Sequence, residues 1–200
     1  MTEHNEQPSQ EEQQGQQEQQ PQGKAVVQRG LWFEEFEEGT TYLHRPGRTV
    51  TEADNTLFTT QTMNTQPLHL DAAWASGQPG FKGERLVNSM FTLSTVVGLS
   101  VSQLTLGTIV ANLGFKEITF PAPMFHGDTL YAETKVLGKR LSSSRPNQGI
   151  VELEHIGRNQ DGTVVCTAIR STMMQCRPTD GAGTADTADT AGTTAPAGEA

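Results

Sequence analysis

Between residues 84 and 104, apolar side chains recur without settling on a single stripe. Leu86, Val87, Met90, Phe91, Leu93, Val96, Val97, Leu99 and Val101 are interspersed with small polar residues, mainly Ser and Thr. This pattern predicts a long helix from Glu84 to about Leu104, buried on most sides. The Ser and Thr hydroxyls within it can bond back to the helix's own carbonyls. At 1.5 Å per residue such a helix would be roughly 30 Å long, the thickness of a small domain. It should therefore run through the centre of the fold.

Upstream the pattern is shorter in range. Residues 31–40 mix aromatics with acids and read as a lead-in that packs Trp32, Phe33 and Phe36 on the core. A strand is expected over Tyr42–Val50, bent by Pro46-Gly47. Thr51-Glu52-Ala53-Asp54 has the form of a capping box, and Ala53, Leu57 and Phe58 continue a helical stripe to about Thr62. Pro67 opposes further helix, so residues 63–71 are expected to be an ordered loop. Asp71 is placed to cap a short helix through Ala72, Ala73, Trp74 and Ala75, and Gly77, Pro79, Gly80 and Gly83 mark a second loop.

Downstream of the long helix the period changes from helix to strand. Strands are expected over Thr108–Phe120, Thr129–Val136, Gly149–Arg158 and Val164–Cys176. His126-Gly127-Asp128 makes a turn, Leu141–Gln148 a polar loop, and Asp161-Gly162 the corner of a hairpin. Short connections make the last three strands antiparallel neighbours. The expected class is α+β, an antiparallel sheet wrapped around a long central helix.

Composition sets the limits of this domain. Residues 1–24 hold nine Gln and five Glu, and residues 178–200 are almost wholly Ala, Thr, Gly, Asp and Pro. Neither could bury enough apolar surface to offset the entropy of ordering it. The expected organisation is a Gln/Glu-rich disordered tail at 1–28, one domain at 29–177 and a second disordered tail at 178–200. Of the formal charge of −9, residues 1–28 carry −4 and residues 178–200 another −4, which leaves −1 for residues 29–177. A near-neutral domain argues against a nucleic-acid surface. Cys166 and Cys176 are too few for a metal quartet or a disulfide framework and read as reduced side chains. The N-terminus lacks the basic and apolar start of a signal peptide, and residues 86–101 are too polar to cross a bilayer. A cytoplasmic location without membrane association is the expectation.

The chemistry concentrates in Asn64-Thr65-Gln66-Pro67-Leu68-His69-Leu70-Asp71 and in Gly83. A His on a Pro-stiffened loop is held in place, as a general base must be. Asn64 is close enough in the chain to orient a water or a substrate oxygen. Gly83, at the expected start of the long helix, would let a ligand approach free backbone amides where the helix dipole is positive. Such amides stabilise negative charge on a carbonyl oxygen. The set suits proton transfer beside a carbonyl, although a lone loop His is more often a structural hydrogen-bonder.

The stretch Met63-Asn64-Thr65-Gln66-Pro67-Leu68-His69-Leu70-Asp71 resembles the Gly-Asp-x-Asn-Pro-Leu-His-x-Asp signature of the MaoC-like hydratases, which include the (R)-specific enoyl-CoA hydratases. Phe120 to Leu130 resembles that family's Pro-containing strand and Gly-Asp-Thr turn, and Gly83 the glycine that opens its central helix. The likeness runs over residues 31–177. It implies a hot-dog fold, a homodimer, and addition of water to a 2-enoyl-CoA by an Asp and a His, with the thioester oxygen held at the central helix. It places His69 on the catalytic His. Asn64 stands where the family has Asp, and Lys82 where a His commonly precedes the helix glycine. Asn at this place resembles the branch that includes the mesaconyl-CoA hydratases. The expected site is thus His69, Asn64 and Gly83, with Phe81, Leu86 and Arg85 near the substrate, and no metal or cofactor besides the coenzyme A thioester itself. The alternatives are a non-catalytic acyl-thioester binder and a hot-dog thioesterase, for which Glu84 is a poor catalytic carboxylate. Arg45 and Arg48, like Arg85, are open candidates for a substrate carboxylate; Arg85, Lys139, Arg140 and Arg145 are candidates for the phosphates of coenzyme A. Asp71 and Asp128 are expected to be structural, and His126 exposed and inert.

Overall fold

The computed structural model of the chain describes residue 23 and residues 25–179. The tails expected at 1–28 and 178–200 lie outside this range except for residues 23, 25–28 and 178–179, which carry no helix or strand. A 3-10 turn at Phe33–Glu35 is followed by β1 (Thr41–Thr49), α1 (Glu52–Gln61), α2 (Pro67–Leu70), α3 (Ala72–Ser76), α4 (Ser89–Leu104), β2 (Ile109–Thr119), β3 (Thr129–Leu141), β4 (Gln148–Arg158) and β5 (Val164–Gln175). The five strands form one sheet in the order β1-β3-β4-β5-β2, and each neighbouring pair is antiparallel.

The period-2 pattern of β4 is realised strictly, with every second residue from Gly149 to Gly157 buried. That face carries α4. Gly157 makes the close approach possible, since a Cβ at this position would lie 2.5 Å from Val96 Cγ2 of α4. Two apolar clusters divide the interior. Val87, Phe91, Leu93 and Val96 meet Met124, Leu130 and Val165 at the start of α4. Phe33 and Phe36 of the lead-in close the other end over Leu104, Val136, Leu153 and Met174.

The long helix begins five residues later than expected. Residues 86 and 87 are extended: Leu86 N donates to Leu68 O at 3.0 Å and Val87 N to Met124 O at 2.9 Å, and Leu86 bridges Phe125. Backbone spent on such pairing is unavailable to a helix. Lys82 and Gly83 also lie at positive φ, 52° and 76°. Asn88 supplies the cap, its Oδ1 accepting from Met90 N at 3.0 Å. The 16 residues of α4 span about 24 Å.

Nor is α4 buried on most sides. Met90 is 51% and Val101 36% exposed, because the sheet covers one face only. The segment expected as an ordered loop at 63–71 contains α2, whose first residue, Pro67, is suited to a helix start. β3 continues to Leu141 rather than ending at Val136. The remaining elements match expectation to within one or two residues.

Candidate functional site

The site is assembled at the start of α4 by three segments that all lead to it. The capping box predicted for α1 forms: Thr51 Oγ1 accepts from Asp54 N at 3.2 Å and Asp54 Oδ2 from Thr51 N at 2.9 Å. The cap sets the direction of α1 and turns Asn55 and Thr59, one helical turn apart, to the interior. α2 then delivers His69 to the extended stretch at Leu86. His69 is 9% exposed. Its Nδ1 donates to Leu86 O at 2.9 Å. A carbonyl only accepts, so the Nδ1 proton is fixed and Nε2 of the neutral ring is left with its lone pair.

A cavity of about 380 Å³ opens beside His69. It is lined by Leu68, His69, Leu86 and Val87, by Ser89 and Thr92 of α4, and by the 120–124 segment with Val165. Ser89 occupies the first helical position, where backbone amides lack a partner within the helix and the dipole is positive. Among the described residues the wall is mainly apolar and contains no carboxylate.

Of the residues singled out from the sequence, His69 and Leu86 lie on this cavity and Asn64, Gly83, Phe81 and Arg85 do not. Asn64 holds its own loop, with Oδ1 accepting from Gln66 N at 3.0 Å. Gly83 sits in the bend before the extended stretch, not at the helix tip, for the reasons given above. Phe81 packs against Trp74, ring centroids 6.2 Å apart. Arg85 is paired with Glu52, whose carboxyl it holds below the usual range. Ser89 and Thr92 were not anticipated. Asn88, a good N-cap residue just before Ser-Met-Phe, was the available signal for them.

Asn55 was also missed, and it is the most connected side chain of the site. It is fully buried. Its Oδ1 accepts from Asn88 N at 2.8 Å. Its Nδ2 lies 3.2 Å from His69 O, 3.3 Å from Leu86 O and 3.1 Å from His126 Nε2. His126 is therefore half-buried and engaged, not exposed and inert as expected. Burial, reinforced by the Arg85 charge, keeps its pKa below the ordinary histidine value. The only sequence signal was an amide and a hydroxyl four residues apart, Asn55 and Thr59, on a helix with few apolar positions.

The other expected structural roles hold. Asp71 caps α3, accepting from Trp74 N at 2.9 Å. Asp128 closes its turn by accepting from Phe125 N at 2.8 Å. Cys166 and Cys176 are free thiols. Lys139 is bonded to the carbonyls of Phe33 and Glu34, and Arg48 is paired with Asp54 at 2.5 Å. No group of side chains suited to hold a metal ion, and no helix long and apolar enough to cross a membrane, is present among the described residues.

Comparison with known proteins agrees with this architecture. The model of the MaoC like domain matches residues 34–159. A β-methylmalyl-CoA dehydratase from Chloroflexus aurantiacus is 32% identical over 153 residues, which is 76% of this chain and 42% of that protein. A mesaconyl-CoA hydratase from Haloarcula marismortui is 32% identical over 148 residues, 74% of this chain and 40% of that protein. The chain thus spans about two fifths of the length of these relatives. A solved Archaeoglobus protein, described as a monoamine oxidase regulatory protein, superposes with a TM-score of 0.67 at 30% identity, covering 76% of this chain and all of that one. A Mycobacterium tuberculosis protein with a double hotdog fold superposes with a TM-score of 0.62 at 26% identity, over 77% of this chain and 47% of that one. The sheet wrapped on α4 is a hot-dog fold, and the chain belongs to the MaoC-like domain family.

Proposed function

We propose that this protein catalyses the reversible addition of water to a 2-enoyl-CoA thioester, with His69 as the base. The observation that carries this reading is the shared cavity of His69 and Ser89. Leu86 O holds the His69 ring with Nε2 as the acceptor, and Ser89, the first residue of α4, lines the same cavity. A thioester carbonyl received by the Ser89 amide has its developing negative charge stabilised there. His69 Nε2 takes a proton from water as the water oxygen bonds to the β-carbon. The imidazolium then returns a proton to the α-carbon as the enolate collapses. The donor role assigned from sequence to Gly83 passes in this reading to Ser89, because the helix starts there.

Asn64 is kept as part of the loop that holds His69, through its bond to Gln66 N. A wall without a carboxylate leaves His69 as the sole acid–base group, in place of an Asp–His pair. The relatives that hydrate or dehydrate mesaconyl-CoA and β-methylmalyl-CoA support an acyl group that carries a second carboxylate. A homodimer completes the site, formed by pairing of the sheet edge at β2, which ends at Thr119, next to Phe120 of the cavity wall.

Hydration is read as loss of the enoyl-thioester absorbance of crotonyl-CoA and mesaconyl-CoA. Wild type is expected to turn over at least one of them, and His69→Ala to lower kcat/KM by about 10²–10⁴-fold. Undiminished turnover in His69→Ala would remove the mechanism. The absence of a carboxylate favours one second reading, an acyl-thioester binder, which predicts tight binding of both thioesters with no absorbance change in wild type.

A further inference from the structure

We infer that Asn55 is a positioning residue of the proposed hydration site, and that it holds His69 and the start of α4 in register only while His126 is neutral at Nε2. This rests on the assignment of His69 as base. The orientation of the Asn55 carboxamide is not free. Asn88 N can only donate, so the atom it meets at 2.8 Å must be the amide oxygen. His69 O and Leu86 O can only accept, so the atom near them must be the amide nitrogen. Three backbone groups, one from α2 and two from the 86–88 stretch, thus agree on a single orientation.

This one planar group ties together the parts the chemistry needs. Asn88 is the N-cap of α4, and the amide of Ser89 follows it. Leu86 O is the acceptor that fixes the His69 ring. His69 O belongs to the base itself. A displacement of Asn55 therefore moves the base, its tautomer anchor and the oxyanion donor together.

His126 enters through the fourth contact. The two hydrogens of the Asn55 NH2 are shared among His69 O, Leu86 O and, at 3.1 Å, His126 Nε2; an amide nitrogen does not accept, so Nε2 takes part only as an acceptor, with its proton on Nδ1. Protonating Nε2 sets N–H against N–H inside a buried cluster. The charged groups around His126 are Glu52 of α1, Arg85 and Glu84 of the preceding loop, Lys82 over the neighbouring Phe125 ring at 5.1 Å, and Asp128 in its own turn. Burial and Arg85 disfavour the charged ring, Glu52 and Glu84 favour it, and the pKa is lowered on balance. Acidification through that value is where the contact breaks.

The test uses the full chain. In Asn55→Asp the carboxylate still accepts from Asn88 N but has no hydrogen for either carbonyl. We expect kcat to fall by about 10²-fold with a smaller change in KM, and part of the loss to be recovered on the acid side as the carboxylic acid regains a donor. In His126→Gln, which presents an acceptor that does not titrate, the acid limb of log kcat/KM should be shallower than in wild type by one proton. Ring ¹⁵N signals of His69 in labelled protein give a readout independent of turnover: the Nδ1–H signature should be altered in Asn55→Asp while the circular dichroism spectrum is kept. An acid limb as steep in His126→Gln as in wild type, or unchanged His69 ring signals in a folded Asn55→Asp, overturns the inference. If Asn55→Asp does not fold, the two slopes decide it alone. If wild type hydrates nothing, the function proposed above fails, and the ring signals still decide the role of Asn55.

Discussion

A buried chain of bonds crosses the inner face of the sheet from Gln103 through His44 and Thr134 to His155. Its links are 2.8 Å each. Each imidazole in it is neutral, because burial opposes the charge, and the pKa of His155 is pushed down to about 3. A depressed value has a definite consequence for folding. Above the unfolded value near 6.5 both states are neutral and stability is at its full level. As pH falls from there towards 3, the unfolded chain binds a proton that the folded one refuses, and stability drops. The loss from His155 alone is on the order of 4 kcal/mol across that window. Urea midpoints measured from pH 7 to 4 should fall steeply, and His155→Gln should flatten the fall. A midpoint independent of pH over that range would contradict the burial described here.

Elements in this fold are joined where a side chain is missing as much as where one is present. β4 meets α4 at Gly157, where a Cβ would lie 2.5 Å from Val96 Cγ2 and 3.3 Å from Leu130 Cδ1. Gly157→Ala should therefore lower stability by about 1–3 kcal/mol, as overpacking does, and thermal unfolding would show it. The same scale explains which elements were legible in advance. α1 was readable because Thr51 and Asp54 announce its start within four residues, and β4 because its alternation is strict. The start of α4 was not, because Leu86 and Val87 fit a helical stripe as well as an extended one. Only the carbonyls of Leu68 and Met124, distant in sequence, draw their amides out of the helix. Gly83 therefore lies six residues before Ser89, the first residue of α4, and not at the helix tip.

At the scale of the whole molecule, one edge of the sheet carries a run of exposed apolar side chains. β2 is an edge strand, and Val110, Leu113, Phe115 and Ile118 along it remain between 37% and 48% exposed. An edge with unpaired backbone and apolar side chains is a liability unless another strand meets it. A second copy paired through β2 would cover it and wall the cavity near Phe120. Leu113→Glu should then yield a monomer by sedimentation, with hydration reduced at least tenfold, about 1.4 kcal/mol in transition-state terms. A wild type that sediments as a monomer at assay concentration would remove the dimer from the account.

Chain-local rules were enough for the α+β class, the strand order of the last three strands, the cap of α1, and the identity of His69 as the candidate base. They were enough because periodicity, turn chemistry and short motifs act over a few residues. What the folded arrangement alone decided was the partnership of His69 with Leu86 O, the replacement of Gly83 by Ser89 at the helix tip, and the contacts of Asn55 and His126. These depend on hydrogen bonds between segments 14 to 71 residues apart. No local pattern encodes such bonds, because their partners become neighbours only when the sheet closes on α4.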